Sequence, residues 1–238
     1  MRRDDADVFE LHAQGEPSLT PDHIVAALQP LLTPARWSKL VQVAAQRLLC
    51  RTLVIEELAD PHNVSAVLRS ADAFGIDRIH IVAGEQGLHA AHRVAKGAER
   101  WLDLRWHDDM SSCVSRLRRE GFRIYAAAMN GQVGLSELAA SPEPVAIVFG
   151  NEHRGVRPET RALVDGLYSI PMVGFVESLN VSVAAAITLH ALRTGEGAYA
   201  IGAAEQQEIL ARFLMRSVRD AAGIVSEYVD KTQNEGGN

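Results

Sequence analysis

The sequence predicts an α/β protein with a mostly parallel sheet flanked by helices. Three observations lead there. Short apolar runs of strand length recur along the chain, at 52–58, 78–82, 122–128, 144–150 and 167–172. Between them lie segments whose apolar residues repeat at helical spacing. Capping or stop residues stand at the junctions, and strands that alternate with helices in this way pair side by side in a parallel sheet.

The elements follow in order. Thr20-Pro21 and Thr33-Pro34 each place a capping hydroxyl before a proline at the first helical position, which opens helices over roughly 21–32 and 34–49. TLVIEEL (52–58) is the first strand. In DPHNVSAVLRSADAFG, Val64, Val67, Leu68, Ala71 and Phe74 keep helical spacing and Gly75 ends the helix. RIHIV (78–82) is the second strand and WLDLRW (101–106) a further candidate. A helix near 109–120 leads into FRIYAAA (122–128), and PVAIVFG (144–150) has the unbroken apolarity of a buried parallel strand. PETRALVD (158–165) is a short helix and LYSIPM (167–172) another strand. VSVAAAITLHAL (181–192) is apolar on nearly every side, which implies burial against its own sheet and against a second surface. One long helix is expected over 204–230, with Leu210, Leu214, Val218, Ala221 and Val225 on one side and Arg212, Arg216 and Arg219 on another. The final NEGGN is expected to be disordered. The resulting division is an N-terminal extension with a basic helix (1–50), the α/β domain (51–200) and a C-terminal helix with its tail (201–238).

Composition narrows the function classes. The chain has 238 residues, 47% hydrophobic and 23% charged, which suits a globular protein with a core. No apolar run reaches membrane-span length, and the polar, acidic N-terminus is no secretory signal, so no membrane partner and a cytoplasmic setting are expected. Cys50 and Cys113 form neither a disulfide framework nor a zinc spacing. His89 and His92 stand at helical spacing without a thiol or carboxylate companion and are read as solvated, so no metal is expected. The net charge is −6, but it is segregated. Residues 1–32 carry six acids against two arginines, whereas Arg36, Lys39, Arg47 and Arg51 stand in 33–51 with no acid at all. Either a solvated helix face or a nucleic-acid surface fits that run.

Three constellations carry chemistry. Asn63 and Arg69 share DPHNVSAVLRSADAFG, where Arg69 is either functional or simply paired with Asp72 three residues on. VFGNEHRGV (148–156) places Glu152 just past a strand, between Gly150 and Gly155, which permit close backbone approach to a ligand. IPMVGFVESLN (170–180) turns through Pro171 and Gly174 into a helix whose free N–H groups suit an anion, and Ser178 or Asn180 can cap that helix. All three follow strands, where open α/β sheets bind their ligands. Neither G-x-G-x-x-G nor a Walker loop is present.

Together and in this order, PHNVSAVLRSADAFG, VFGNEHRGV and IPMVGFVESLNVSVAAAITLH resemble the motifs of the SPOUT superfamily of S-adenosylmethionine-dependent RNA methyltransferases. They are closest to its TrmH branch, the tRNA guanosine 2′-O-methyltransferases. The resemblance covers roughly 34–195, including TPARWSKL and the loop GAERW. It implies a SPOUT fold with a deep C-terminal trefoil knot, a feature nearly absent from other folds. It also implies S-adenosylmethionine as methyl donor, held near Ala128, Met129, Gly150, Ile170, Met172 and Leu179. Catalytic positions would be Asn63, Arg69, Glu152, Ser178 and Asn180. RNA contacts would fall on Arg36, Lys39, Arg47 and Arg100. The implied substrate is a ribose 2′-hydroxyl, first a D-loop guanosine of tRNA (position 18). Ribosomal RNA is the alternative, and a knotted RNA-binding module without activity is a further one. The implied assembly is a homodimer through the knot region. The chain departs from the pattern in its acidic segment 1–32 and its net acidity.

Overall fold

A computed structural model describes residues 19–58, 60–82, 100–197 and 201–235. Most of the acidic opening segment, His89, His92, the first residues of GAERW and the last three residues of the tail lie outside the described residues. The chain divides into two compact units, one spanning residues 48–199 and one made of residues 1–47 with 200–238.

Seven strands form one sheet: β1 (Arg51–Glu56), β2 (Arg78–Val82), β3 (Asp103–His107), β4 (Arg123–Ala127), β5 (Val133–Gly134), β6 (Val145–Phe149) and β7 (Gly166–Ser169). Their spatial order is β3-β2-β1-β6-β4-β7-β5, and every pairing is parallel. The helices, in chain order, are α1 (Pro21–Leu28), α2 (Pro34–Ala45), α3 (Pro61–Ala73), α4 (Met110–Arg119), α5 (Leu135–Ala140), α6 (Pro158–Leu163), α7 (Val181–Thr194), α8 (Ala203–Ser217) and α9 (Ala221–Glu235).

The sheet is covered on both faces, which is why its central strands lack polar alternation. Leu53 and Ile55 of β1, with Val145, Ile147 and Phe149 of β6, pack in one core with Val67 and Leu68 of α3, Leu138 of α5 and Leu189 and Leu192 of α7. The intervening Val54, Ala146 and Val148 belong to a second core with Met110, Cys113 and Leu117 of α4 and Val156. Tyr168 of β7 is buried, and its hydroxyl meets the Thr188 hydroxyl of α7 at 2.8 Å. Burial pushes the Tyr168 phenol well above its ordinary value, with the hydrogen bond to Thr188 acting the other way. Past α7, Gly195 and Gly197 run so close to Ala139 and Ser141 that a Cβ on either would collide with backbone there.

In the helical unit, α1 packs on α8 and α9, and α2 on α8. Thr20 and Thr33 cap their helices as expected, each accepting from the backbone N–H three residues on, at 3.3 Å. Four expectations need correction. The first helix gives way after Leu28 to a 3₁₀ turn over Gln29–Leu31, at the second proline. The helix expected over 204–230 is two helices, broken after Ser217 where Val218 turns extended and Asp220 takes a φ of 57°. The second of them reaches Glu235, into the segment expected to be disordered. Arg47 and Arg51, read as part of an exposed basic run, are both buried. Arg47 lies over the Phe213 ring at 5.4 Å. Arg51 donates to the carbonyls of Cys50, Glu143 and Ser141 at 2.7–2.9 Å.

Candidate active site

At the carboxyl end of the sheet, Asp60, Asn63, Glu152, His153, Ser178, Leu179, Asn180 and Val181 line an open cleft of about 540 Å³. These residues come from the ends of three segments far apart in sequence. Asp60 caps α3, accepting from the His62 N–H at 2.8 Å, with Pro61 in the first turn. Asn63, half-buried, follows in that turn. Glu152 stands in the loop after β6, and Asn180 caps α7 by accepting from the Ser182 N–H at 2.8 Å.

One chain of hydrogen bonds joins the three segments. The Ser182 hydroxyl and N–H both donate to Asn180 Oδ1. Asn180 Nδ2 donates to Asn63 Oδ1 at 3.0 Å, and Asn63 Nδ2 donates to Glu152 Oε1 at 3.1 Å. The Asp60 N–H reaches the same carboxylate oxygen at 3.2 Å. Every donor points toward Glu152, so a carboxylate terminates the run and fixes both amide orientations. Each asparagine amide has a second N–H that the chain does not use.

The Glu152 loop is closed on itself. Asn151 and Gly155 exchange backbone hydrogen bonds at 3.1 and 2.8 Å, and Asn151 Oδ1 accepts from the N–H groups of His153 and Arg154. Gly155 has a φ of +66°, in the left-handed region. The bare backbone of Gly150 admits Gly155 and Val156, from which an added Cβ would lie only 2.3 Å away. The glycine is therefore required by the loop itself.

The remaining expected positions lie nearby or elsewhere. Ala128 follows β4, but its N–H is engaged by Tyr168 and its carbonyl by Gly131. Ile170 packs against the core beside β7, whereas Met129 and Met172 expose their side chains. Strands β6, β4 and β7 are neighbours, so the loops after them emerge side by side. Ser178 lines the cleft; the cap of α7 is Asn180. Arg69 does not line the cleft. It is exposed, about a third of a turn around α3 from Asn63, and makes no hydrogen bond or ion pair among the described residues, including with Asp72. Arg36 and Lys39 are exposed on α2, and Arg100 is exposed over the Trp101 ring at 4.9 Å. Arg47, at 1% exposure, offers no surface to a phosphate and is withdrawn from the RNA contacts.

Asp60 was missed in the sequence, although an Asp-Pro ahead of an apolar-periodic run is a helix-cap signal. Also missed was a buried trio on β2, β3 and α4: His80, His107 and Cys113 offer ligand-type atoms within 4.8 Å of one another. His80 Nδ1 and His107 Nε2 already face each other at 2.8 Å. Burial, then the neighbouring His107 and the Arg78 and Arg116 cations, drives His80 down to about 3, and burial pushes the Cys113 thiol up to about 12. The trio is a neutral hydrogen-bonded pair beside a protonated thiol, in the core opposite α3.

Comparison with known proteins gives the cleft a context. Residues 51–190 match the SpoU rRNA Methylase family. The chain is 38% identical over 157 residues to the tRNA (guanosine(18)-2′-O)-methyltransferase of Thermus thermophilus, covering 66% of this chain and 81% of that protein. It is 38% identical over 153 residues to the 23S rRNA (guanosine-2′-O-)-methyltransferase RlmB of Nitrosomonas europaea, covering 61% and 58%. Among solved structures, the A. aeolicus TrmH/SpoU tRNA modifying enzyme superposes with a TM-score of 0.59 at 25% identity, over 83% of this chain and 96% of that one.

Proposed function

The chain belongs to the SpoU rRNA Methylase family, and on that premise we propose that it transfers a methyl group from S-adenosylmethionine to a ribose 2′-hydroxyl of RNA, first of all a D-loop guanosine of tRNA. The observation that carries this reading is the Asn180–Asn63–Glu152 chain, which ties the three motif loops into one cleft.

The donor supplies an electrophilic sulfonium methyl. Its place would be where the loops after β4, β6 and β7 emerge together, near Met129, Gly150, Ile170, Met172 and Leu179. Apolar side chains there suit the adenine, and backbone groups of such loops suit its ring nitrogens. The spare N–H groups of Asn63 and Asn180 then hold the ribose oxygens. Glu152 anchors both amides, so that they present donors and not carbonyls.

The hydroxyl is a poor nucleophile until its proton leaves. Arg69 carries a cationic guanidinium, a poor proton acceptor, so its role is to stabilise the developing alkoxide or to hold a substrate phosphate that takes the proton. Its absence from the cleft lining fits a site completed by RNA and by a second copy of the chain. The second copy has a surface to meet. One side of α7 buries Ala185, Thr188, Leu189 and Leu192, while Val183 and Ile187 stay exposed, as do Met172, Val173, Phe175 and Val176 in the segment before the helix. We place the homodimer there. Ala185 is buried in the core, so Val183 and Ile187 are the side chains that would make this contact.

The knot rests on the same family premise, supported by the return of the chain past Ala139 and Ser141 after α7. Arg36, Lys39 and Arg100 are the proposed phosphate contacts, in a cytoplasmic setting with tRNA as partner. No described helix is long and apolar enough to cross a membrane.

Labelled methyl donor, total RNA and mass-spectrometric mapping test this. Label on the ribose of a tRNA D-loop guanosine is the expected result. Label on ribosomal RNA alone would move the substrate to the second reading, which the Nitrosomonas relative favours. Donor binding without label in any RNA would leave a binding module. In single-turnover transfer, Arg69→Ala is expected to lose rate at least tenfold, with Arg69→Lys between the two; full rates in both would remove Arg69 from the mechanism.

A further inference from the structure

Beneath the cleft, at the end of β1, two consecutive glutamates hold the loop that carries Glu152. Glu56 is the last residue of β1 and only 1% exposed. A buried carboxylate must be matched by donors, and this one has three. Its Oε2 accepts from the Arg157 N–H at 3.2 Å, and its Oε1 accepts from Arg157 Nε at 3.1 Å and from the Thr160 hydroxyl. Thr160 is itself buried, in α6. Arg157 caps that helix, so Glu56 grips both the point where the Glu152 loop ends and the helix that follows it.

Glu57 completes the clasp from the next position. Its carbonyl accepts from Asn151 Nδ2 at 3.0 Å, and its carboxylate pairs with Arg154 and Arg157, each at 3.3 Å. Glu57 adopts a φ of 53°, a left-handed conformation that a glutamate takes only when its surroundings impose it. Residues 151, 154, 157 and 160 are thus held from one strand end about a hundred residues away in sequence. Glu152 is the member of the loop that turns outward, to Asn63 and Asp60.

We propose that Glu56 is a positioning residue for methyl transfer, acting through Glu152. Resting on the reading of the cleft given above, it identifies what sets the height of Glu152 against Asn63. The carboxylate makes charge-assisted hydrogen bonds, which are shorter and stronger than neutral ones. In Glu56→Gln one oxygen becomes an NH₂ that faces donors, so either the Arg157 N–H or the Arg157 and Thr160 side chains lose their acceptor. The loop exit then relaxes, and Glu152 moves with it.

The test is a double-mutant cycle on single-turnover methyl transfer at saturating donor and RNA, at a temperature where circular dichroism shows every variant folded. Glu56→Gln is expected to slow transfer at least tenfold in the wild-type background and less than twofold in the Glu152→Gln background, with RNA affinity unchanged. Such non-additivity is the mark of two residues acting on one step. A wild-type rate within twofold after Glu56→Gln, or the same fall in both backgrounds, would overturn the proposal. Should Glu56→Gln fail to fold, Thr160→Val, which removes one donor and keeps the carboxylate, is put through the same cycle with the same outcomes. A wild-type chain that methylates no RNA would overturn the reading of the cleft, and this role with it; an active wild type with an additive cycle would overturn this role alone.

Discussion

Replacing Gly150 by alanine adds one methyl group at the root of the Glu152 loop. That carbon would stand 2.3 Å from the carbonyl of Gly155 and from the Val156 nitrogen, where ordinary contact begins at 3.4 Å. The loop must therefore open by about 1 Å, because neither neighbour is the end of a flexible side chain. Overpacking of this kind costs about 1–3 kcal/mol. In a domain of this size that lowers Tm by roughly 2–12 °C. The opening also strains the Asn151–Gly155 hydrogen bonds that fold Glu152 toward Asn63. A misplacement of about 1 Å in a catalytic group costs on the order of 100-fold in rate. Thermal unfolding by calorimetry and single-turnover methyl transfer read the two effects separately. Gly134→Ala is the control, since Gly134 has φ −79° and nothing within 4 Å of an added Cβ. If Gly150→Ala matches the wild type within 1 °C and twofold in rate, the loop does not close as tightly as Gly150, Gly155 and Val156 imply.

Three other expectations follow from the geometry. Arg51→Met removes a buried cation from three carbonyls, and at about 1–3 kcal/mol for each stranded group the denaturant midpoint should fall by an amount equivalent to several kcal/mol; an unchanged midpoint would refute the clasp. His80 is held neutral in the folded state, so its contribution is fully present above the ordinary histidine value of 6.5 and is lost as pH falls from there through about 3. Urea titrations should show roughly 2 kcal/mol lost between pH 7.5 and 5, with a shallower slope in His80→Phe, and stability that ignores pH over this window would contradict the buried pair. Ile187→Asp, on the exposed side of α7, should convert a dimer to a monomer in sedimentation velocity while leaving the thermal transition within a few degrees; a variant that stays dimeric would move the interface elsewhere.

Much of the architecture was legible because it rests on local signals. Thr20, Thr33 and Gly75 punctuate helices through their own side chains or backbone, and the strands announce themselves by apolarity. The two-residue β5 carries too little pattern to be seen, and the break at Val218–Asp220 lies inside a stretch whose apolar spacing continues across it. Burial of charge was equally invisible. Arg47 and Arg51 read as surface because nothing adjacent in sequence reveals Phe213 or the carbonyls at 141 and 143. The candidate site was legible as motifs, but its connections were not. Asn63 meets residues 89 and 117 positions away, and Glu56 reads as the polar end of a strand until Arg157 arrives, 101 positions on.

Those separations also bear on when the chain becomes an enzyme during its synthesis. A nascent chain that has emerged only through β7 already holds Asn63 and Glu152, and can close the bond between them. It lacks Asn180, so the Asn63 carbonyl has no donor to fix its amide, and the cleft lacks the wall formed by Ser178–Val181. The cleft has no local precursor, and completing it is among the last long-range events of folding. On the proposed reading of the cleft, methyl transfer is then a report that the whole α/β unit has closed, and a chain arrested short of α7 lacks one wall of the site.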